Sequence, residues 1–190
     1  MKSLIVVGPR PEVIKCAPVI LAMPDIAVLT TGQHDVTEAL AGFGITADYA
    51  YPTGSHLHDH VRDVADAIRD CNPQVVIVEG DTNSTVAGAI AGYHEGCDVA
   101  HVEAGMRTGD LADPWPEEGW RRMVGQVARY NFAPSDYAAE NLRRENAPGE
   151  VHVTGNTVLD SLRIKGVTRT SGGPDIPVEL HRRESIGAPL

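Results

Sequence analysis

The feature that most constrains this chain is a recurring unit: a short unbroken apolar run, a glycine-containing loop, then a segment with helical spacing. The runs are SLIVVG (3–8), IAVLTTG (26–32), QVVIVEG (74–80) and DVAHVEA (98–104). Each is short and rich in β-branched residues, which predicts a strand. A strand that is apolar throughout, rather than at alternate positions, is covered on both faces, as parallel strands between helices are. The intervening segments fit helices. PEVIKCAPVILA has Pro11 at the expected first helical position. HDVTEALAGFG is a short helix stopped by Gly44, and HLHDHVRDVADAIRD (56–70) a longer amphipathic one. NSTVAGAIAGYHEG is a helix of small residues suited to lying close on a sheet. EEGWRRMVGQVARY (117–130), NFAP, SDYAAENLRRE, VHVTG and NTVLDSLRI complete the series. Six strands in this order predict an α/β fold, a Rossmann-like doubly wound parallel sheet, over residues 1–164. From about Lys165 the pattern stops. KGVTRTSGGPD reads as a linker, and the rest of 165–190 as the start of a further unit.

Composition narrows the partners. A length of 190 residues suits one well-filled domain. A net charge of −10 argues against nucleic acid or an anionic membrane as a bulk electrostatic partner. The opening apolar run is too short for a secretory signal, and no window approaches the roughly 18 apolar residues of a membrane span. The three cysteines, Cys16, Cys71 and Cys97, are scattered and not in CxxC spacing. That fits buried thiols in a reduced cytoplasm, with Cys16 and Cys97 in the core. His56, His58 and His60 alternate, but on a helix alternate residues do not converge on a metal. Lysine is scarce, so an anionic ligand must be held by local arginines or helix ends.

Ligands of open parallel sheets bind outside the carboxyl ends of the strands. Five polar loops fall there: GPRPE (8–12), TTGQH (30–34), EGDTNST (79–85), HVEAGMRTGD (101–110) and TGNT (154–157). Singly, each has a plain reading. Asp81 with Thr82 and Ser84 resembles a helix cap, and Asn156 or Thr157 could cap likewise. Arg10 could face a phosphate or pair with Glu12, while Pro9 and Pro11 lack the N–H groups of an anion cradle. Glu117 and Glu118 suit a helix N-terminus electrostatically. Glu103, after a buried strand and before Gly105, is a carboxylate open to pKa tuning. Together with Asp81, Glu103 and the Glu117–Glu118 pair make a group of carboxylates on one edge, suited to moving protons.

These motifs resemble the non-hydrolysing UDP-N-acetylglucosamine 2-epimerases. The resemblance is carried by GPRPEVIKCAPV (8–19), TGQH (31–34), GDT (80–82), HVEAG-RTGDL…PWPEE (101–118), FAPS (132–135) and TGNTVLD (154–160), and it covers residues 2 to 164. It implies a two-domain, GT-B-like architecture of which this chain supplies one half, and Asp81, Glu103 and Glu117 as catalytic carboxylates. HRRESIG (181–187) matches the start of the second domain, with His181 as its functional histidine. Arg10 and Lys15 would be first-loop cations facing a nucleotide-sugar, with Gln33 and His34 as further substrate contacts. The implied reaction removes the proton at C2 of a UDP-sugar as UDP leaves C1. The glycal is then reprotonated on the other face as UDP returns. No metal or redox cofactor is implied. The implied partners are a second copy or a second-domain partner. Three departures stand out: Pro9 replaces a threonine, the stretch between Gly44 and His60 is shortened, and the second domain is barely begun. The expectation is therefore weak or no turnover by the chain alone, with a non-catalytic nucleotide-sugar-binding or remnant domain, or a sugar transferase of the same architecture, as alternatives.

Overall fold

Strand β1 (Ser3–Val7) is buried at every position, as an unbroken apolar run requires. The computed structural model describes residues 2–52 and 56–166. In chain order β1 is followed by α1 (Arg10–Ala22), β2 (Ile26–Thr30), α2 (Thr37–Ala41), β3 (Tyr49–Ala50), α3 (Leu57–Cys71), β4 (Val75–Glu79) and α4 (Asn83–His94). Then come β5 (Asp98–Val102), α5 (Glu117–Val127), β6 (Tyr130–Ala133), α6 (Asp136–Arg144), β7 (Glu150–Val153) and α7 (Val158–Ile164). The strands form one seven-stranded parallel sheet of order β3-β2-β1-β4-β5-β6-β7.

Alternate residues of each strand serve different cores. Leu4, Val6, Val76, Val78 and Val99 pack with residues of α3, α4 and α5. Ile5, Val7, Val28, Ile77 and Val102 pack with Val13, Cys16, Ala17 and Ile20 of α1 and Leu40 of α2. The small residues of α4 matter here. A Cβ on Gly88 would sit 2.6 Å from Val78 Cγ1, and one on Gly92 3.0 Å from Val76 Cβ, so α4 lies closer to the sheet than a larger side chain permits.

The sheet has one strand more than the six expected. β3 is a two-residue edge strand without an apolar run, and periodicity cannot see it. Backbone pairing makes it: Asp48 N donates to Val28 O and Tyr51 N to Thr30 O, while Val28 N donates to the Asp48 carboxylate. Two helix starts also differ by a residue or more: α1 begins at Arg10 and α2 at Thr37. No helix among the described residues is long and apolar enough to cross a membrane.

The strand order positions the site. From β1 the chain moves outward to β2 and β3; α3 then carries it back to the other side of β1, and β4 to β7 move outward the opposite way. The loops after β1 and β4 therefore diverge and leave a crevice between them at the carboxyl edge.

Candidate active site

The first loop closes that crevice from one side. Glu12, on the first turn of α1, is 2% exposed; its Oε2 accepts from Gly8 N at 2.7 Å and its Oε1 from the hydroxyls of Thr82 and Thr85. The carboxyl thus ties the β1–α1 loop to the start of α4. Burial raises its pKa from 4.5 to about 7, against the hydrogen bonds from Thr82, Gly8 and Thr85. With both Glu12 oxygens engaged there, the Arg10–Glu12 pair does not form. Arg10 is exposed and stands outside the cleft lining.

Lys15, one turn further on, is 6% exposed and reaches across the crevice. Its Nζ lies 2.7 Å from Glu103 Oε2 and 3.5 Å from Glu79 Oε1. Glu103 Oε1 accepts from Asn156 Nδ2 at 2.8 Å, and Asn156 Oδ1 in turn accepts from Val158 N at 3.0 Å. The N-cap position of α7 is Thr157, whose side chain makes no capping bond; Asn156, just before it, turns the chain into the helix and also holds Glu103. Burial would raise the pKa of Glu103, but the Lys15 charge and hydrogen bonds from Glu79, Lys15 and Asn156 outweigh it and hold it below the usual range. Glu79 is the reverse case: burial pushes it well up, Lys15 opposes, and Glu103 and Glu12 add to the rise. The backbone of Glu103 has φ 60°, a left-handed conformation that costs a non-glycine residue of order 1–3 kcal/mol. Gly105, at φ 86°, follows; a Cβ there would meet Ala138 O at 2.2 Å.

Asp81 is not the cap of α4. Thr82 is, accepting from Ser84 N and Thr85 N through its hydroxyl. Asp81 is left facing the cleft, where Arg121 of α5 pairs with it through Nε at 3.0 Å and through Nη2. Glu117 opens α5 and lines the same cleft. Its neighbour Glu118 points the other way and is fully buried. It accepts from Thr108 N at 3.1 Å, Gly109 N at 3.3 Å and Arg122 Nε at 2.9 Å. Burial would raise its pKa, but the Thr108 amide, Arg122 and the Gly109 amide together hold it down. Arg107, 5% exposed in its side chain, grips Glu145 of the residues after α6 with Nε at 2.9 and 3.0 Å and Nη2 at 2.7 Å. Much of the charge in the loop after β5 thus fastens the loop itself, and Glu103 and Glu117 are the members turned to the cleft.

The cleft encloses about 570 Å³ and is walled by Pro9, Pro11, Pro114, Pro116 and Trp120 around Lys15, Glu79, Asp81, Glu103, Glu117 and Arg121. Gln33 lines it as well, but its Oε1 accepts from Ser84 N at 3.1 Å and Ser84 Oγ at 2.7 Å, holding the start of α4. His34 is exposed and stands outside the lining. His181 lies outside the described residues. His56 precedes α3, His60 is buried in it, and among the described residues no group of three or more His, Cys, Asp or Glu is arranged to hold a metal ion. Cys16 is buried, and Cys97 is partly exposed with its thiol directed at Pro73 O.

Of the expected site residues, the fold brings Lys15, Gln33, Asp81, Glu103 and Glu117 to one cleft and leaves Arg10 and His34 at the surface. Glu79 and Arg121 were missed. Glu79 carried a signal, a carboxylate at the end of an otherwise apolar run; Arg121 carried none, being one arginine among several on its helix.

The chain has counterparts among known proteins. The family model for UDP-N-acetylglucosamine 2-epimerase matches residues 22–189. A UDP-N-acetylglucosamine 2-epimerase of Salmonella typhimurium is 41% identical over 177 residues, covering 85% of this chain and 47% of that protein. Its namesake from Escherichia coli K12 is 39% identical over 219 residues, covering 98% and 58%. The crystal structure of a Neisseria meningitidis UDP-GlcNAc 2-epimerase bound to UDP-GlcNAc superposes with a TM-score of 0.81 at 38% identity, covering 88% of this chain and 50% of that one. The chain spans about half the length of the relatives it matches.

Proposed function

The chain belongs to the UDP-N-acetylglucosamine 2-epimerase family, and we propose that it carries the acid–base side of an epimerase acting on UDP-N-acetylglucosamine. The observation that supports this reading is the convergence of Asp81 and Glu103, from the ends of β4 and β5, and Glu117, from the start of α5, on one cleft at the point where the strand order reverses.

The chemistry needs a base at one face of sugar C2 and an acid at the other. A carboxylate takes the C2 proton, the C1–O bond to UDP breaks, and a C1–C2 double bond forms. The second carboxyl then returns a proton to the opposite face of C2 as the UDP oxygen re-forms its bond to C1. Three carboxyl groups carried by different elements around one cleft supply the members of such a pair. Lys15 and Arg121 offset the negative charge of a cleft that must also admit a diphosphate. The proline and tryptophan wall limits water around the sugar. Relatives about twice as long support a cleft closed by a further domain or a second copy, in the cytoplasm where nucleotide-sugars are used.

Proton NMR with UDP-N-acetylglucosamine in deuterated water tests this. Deuterium at C2 together with the manno epimer supports the reading. Saturation transfer to the nucleotide-sugar without exchange, even with a second domain supplied, reduces it to a binding role. Neither signal overturns it.

A further inference from the structure

Glu79 is a buried carboxyl that the reaction outlined above does not use. It ends β4, is 2% exposed, and its main-chain carbonyl is fixed by the Thr85 hydroxyl at 2.6 Å. Around its side chain stand Glu12, Lys15 and the Cys16 thiol from α1, and Glu103 from the end of β5. Lys15 Nζ stands within 3.5 Å of a carboxyl oxygen of both Glu79 and Glu103, so two carboxyls crowd one cation. Beyond the effect of burial, a hydrogen bond between them holds the pKa of Glu79 up and that of Glu103 down. Two carboxylates cannot share a hydrogen bond without a proton between them, and burial makes the doubly ionised pair worse.

Geometry decides which of the two keeps the proton. Lys15 Nζ is at hydrogen-bond distance from Glu103 Oε2, 2.7 Å, but 3.5 Å from Glu79 Oε1, which is too long for a good hydrogen bond. Glu79 Oε1 has no hydrogen-bond partner among the described residues. Glu103 also receives the Asn156 amide at 2.8 Å. The donors converge on Glu103, so the charge belongs there and the proton on Glu79.

We propose that Glu79, protonated and donating to Glu103, is a positioning residue that keeps Glu103 a carboxylate, so that in the epimerisation Glu103 accepts a proton and a different group of the assembled site returns one to C2. The reaction part rests on the function proposed above; the proton pair does not. A neutral donor at 79 is sufficient for this role, which separates it from a proton relay: glutamine should replace Glu79 and leucine should not.

The test is a carbon-13 titration of glutamate side-chain carboxyls in the full chain, with Glu79→Gln and Glu103→Gln assigning the two resonances. The wild type should show a glutamate resonance that stays protonated at neutral pH and is absent in Glu79→Gln, separate from that of Glu12 with its midpoint of about 7, and Glu103 ionised. Glu79→Leu should raise the Glu103 midpoint by about one pH unit or more, while Glu79→Gln leaves it low. In an assembly that exchanges C2–H, Glu79→Gln should keep the rate, and Glu79→Leu should lose at least about tenfold with its acid limb moved up. An ionised Glu79 at neutral pH, or an unmoved Glu103 in Glu79→Leu, overturns the proposal. Should Glu79→Leu not fold, the wild-type resonance of Glu79 still decides. Exchange that stops in Glu79→Gln would make Glu79 a relay and also overturn it. Wild-type chain that neither binds nor exchanges the nucleotide-sugar, yet titrates as expected, would instead remove the reaction and leave the pair.

Discussion

Arg121 on α5 holds Asp81 at the end of β4, its Nε 3.0 Å from Asp81 Oδ2, across 40 positions of sequence. The pair joins the helix that carries Glu117 to the loop that begins α4. It fixes Asp81 in the cleft and offsets its charge there.

Arg121→Met should therefore act on Asp81 more than on the loop after β5. Glu118, the other carboxylate near Arg121, keeps Arg122 and two backbone amides. The expected cost is about 1.5–3 kcal/mol in urea unfolding, the range for a hydrogen bond to a charged group. A loss beyond ~4 kcal/mol would mean that Glu118 depends on Arg121 after all.

Two buried groups should give stability opposite pH dependences. Glu12 has its pKa raised from 4.5 to about 7 by burial, so it favours the folded state at low pH and that contribution is lost as pH rises through this window. His101 is fully buried, with Nε2 2.7 Å from Gly80 O, and burial lowers its pKa from 6.5 to about 4. Its contribution is present above 6.5 and lost as pH falls towards 4. Relative to wild type, Glu12→Gln should gain stability as pH rises between 4.5 and 7. His101→Gln should lose relative stability as pH rises between 4 and 6.5. Each change should be on the order of 3 kcal/mol. Urea unfolding across that range measures both, and parallel curves for wild type and variant would contradict the assigned burial.

Gly105 and Gly109 share a left-handed backbone but not a neighbourhood. A Cβ on Gly105 meets Ala138 O at 2.2 Å, whereas one on Gly109 meets nothing within 4 Å. Gly109→Ala should cost about 1–2 kcal/mol from backbone strain alone. Gly105→Ala should cost several kcal/mol more and displace Glu103, since backbone cannot yield as a side chain does. Equal melting temperatures for the two variants would place the loop away from α6.

In an assembly that exchanges C2–H, Asp81→Asn, Glu103→Gln and Glu117→Gln should each slow exchange by roughly 10²-fold or more. Nucleotide-sugar binding should stay within about tenfold, because the carboxyls act on the reacting carbon rather than on the diphosphate. Gln33→Ala should mainly lower stability, as its amide oxygen is committed to Ser84. Single-turnover rates beside titrated binding separate the two effects.

The parallel sheet and the edge on which the carboxylates gather could be read in the sequence, because covalent spacing alone determines which side chains of a strand or helix share a face. Runs such as QVVIVE record burial on both sides, and the loop after each run necessarily emerges at the carboxyl edge. Three things were decided by the tertiary structure. β3 exists through backbone pairing with β2, not through any apolar pattern. Thr82 rather than Asp81 caps α4, and of two adjacent glutamates Glu118 turns inward to the loop amides while Glu117 faces the cleft. The exchange of charge among Lys15, Glu79 and Glu103 spans 88 positions. Spacing reports a residue's own face, whereas the state of a buried charge depends on which distant partner the folded chain brings within a few ångströms of it.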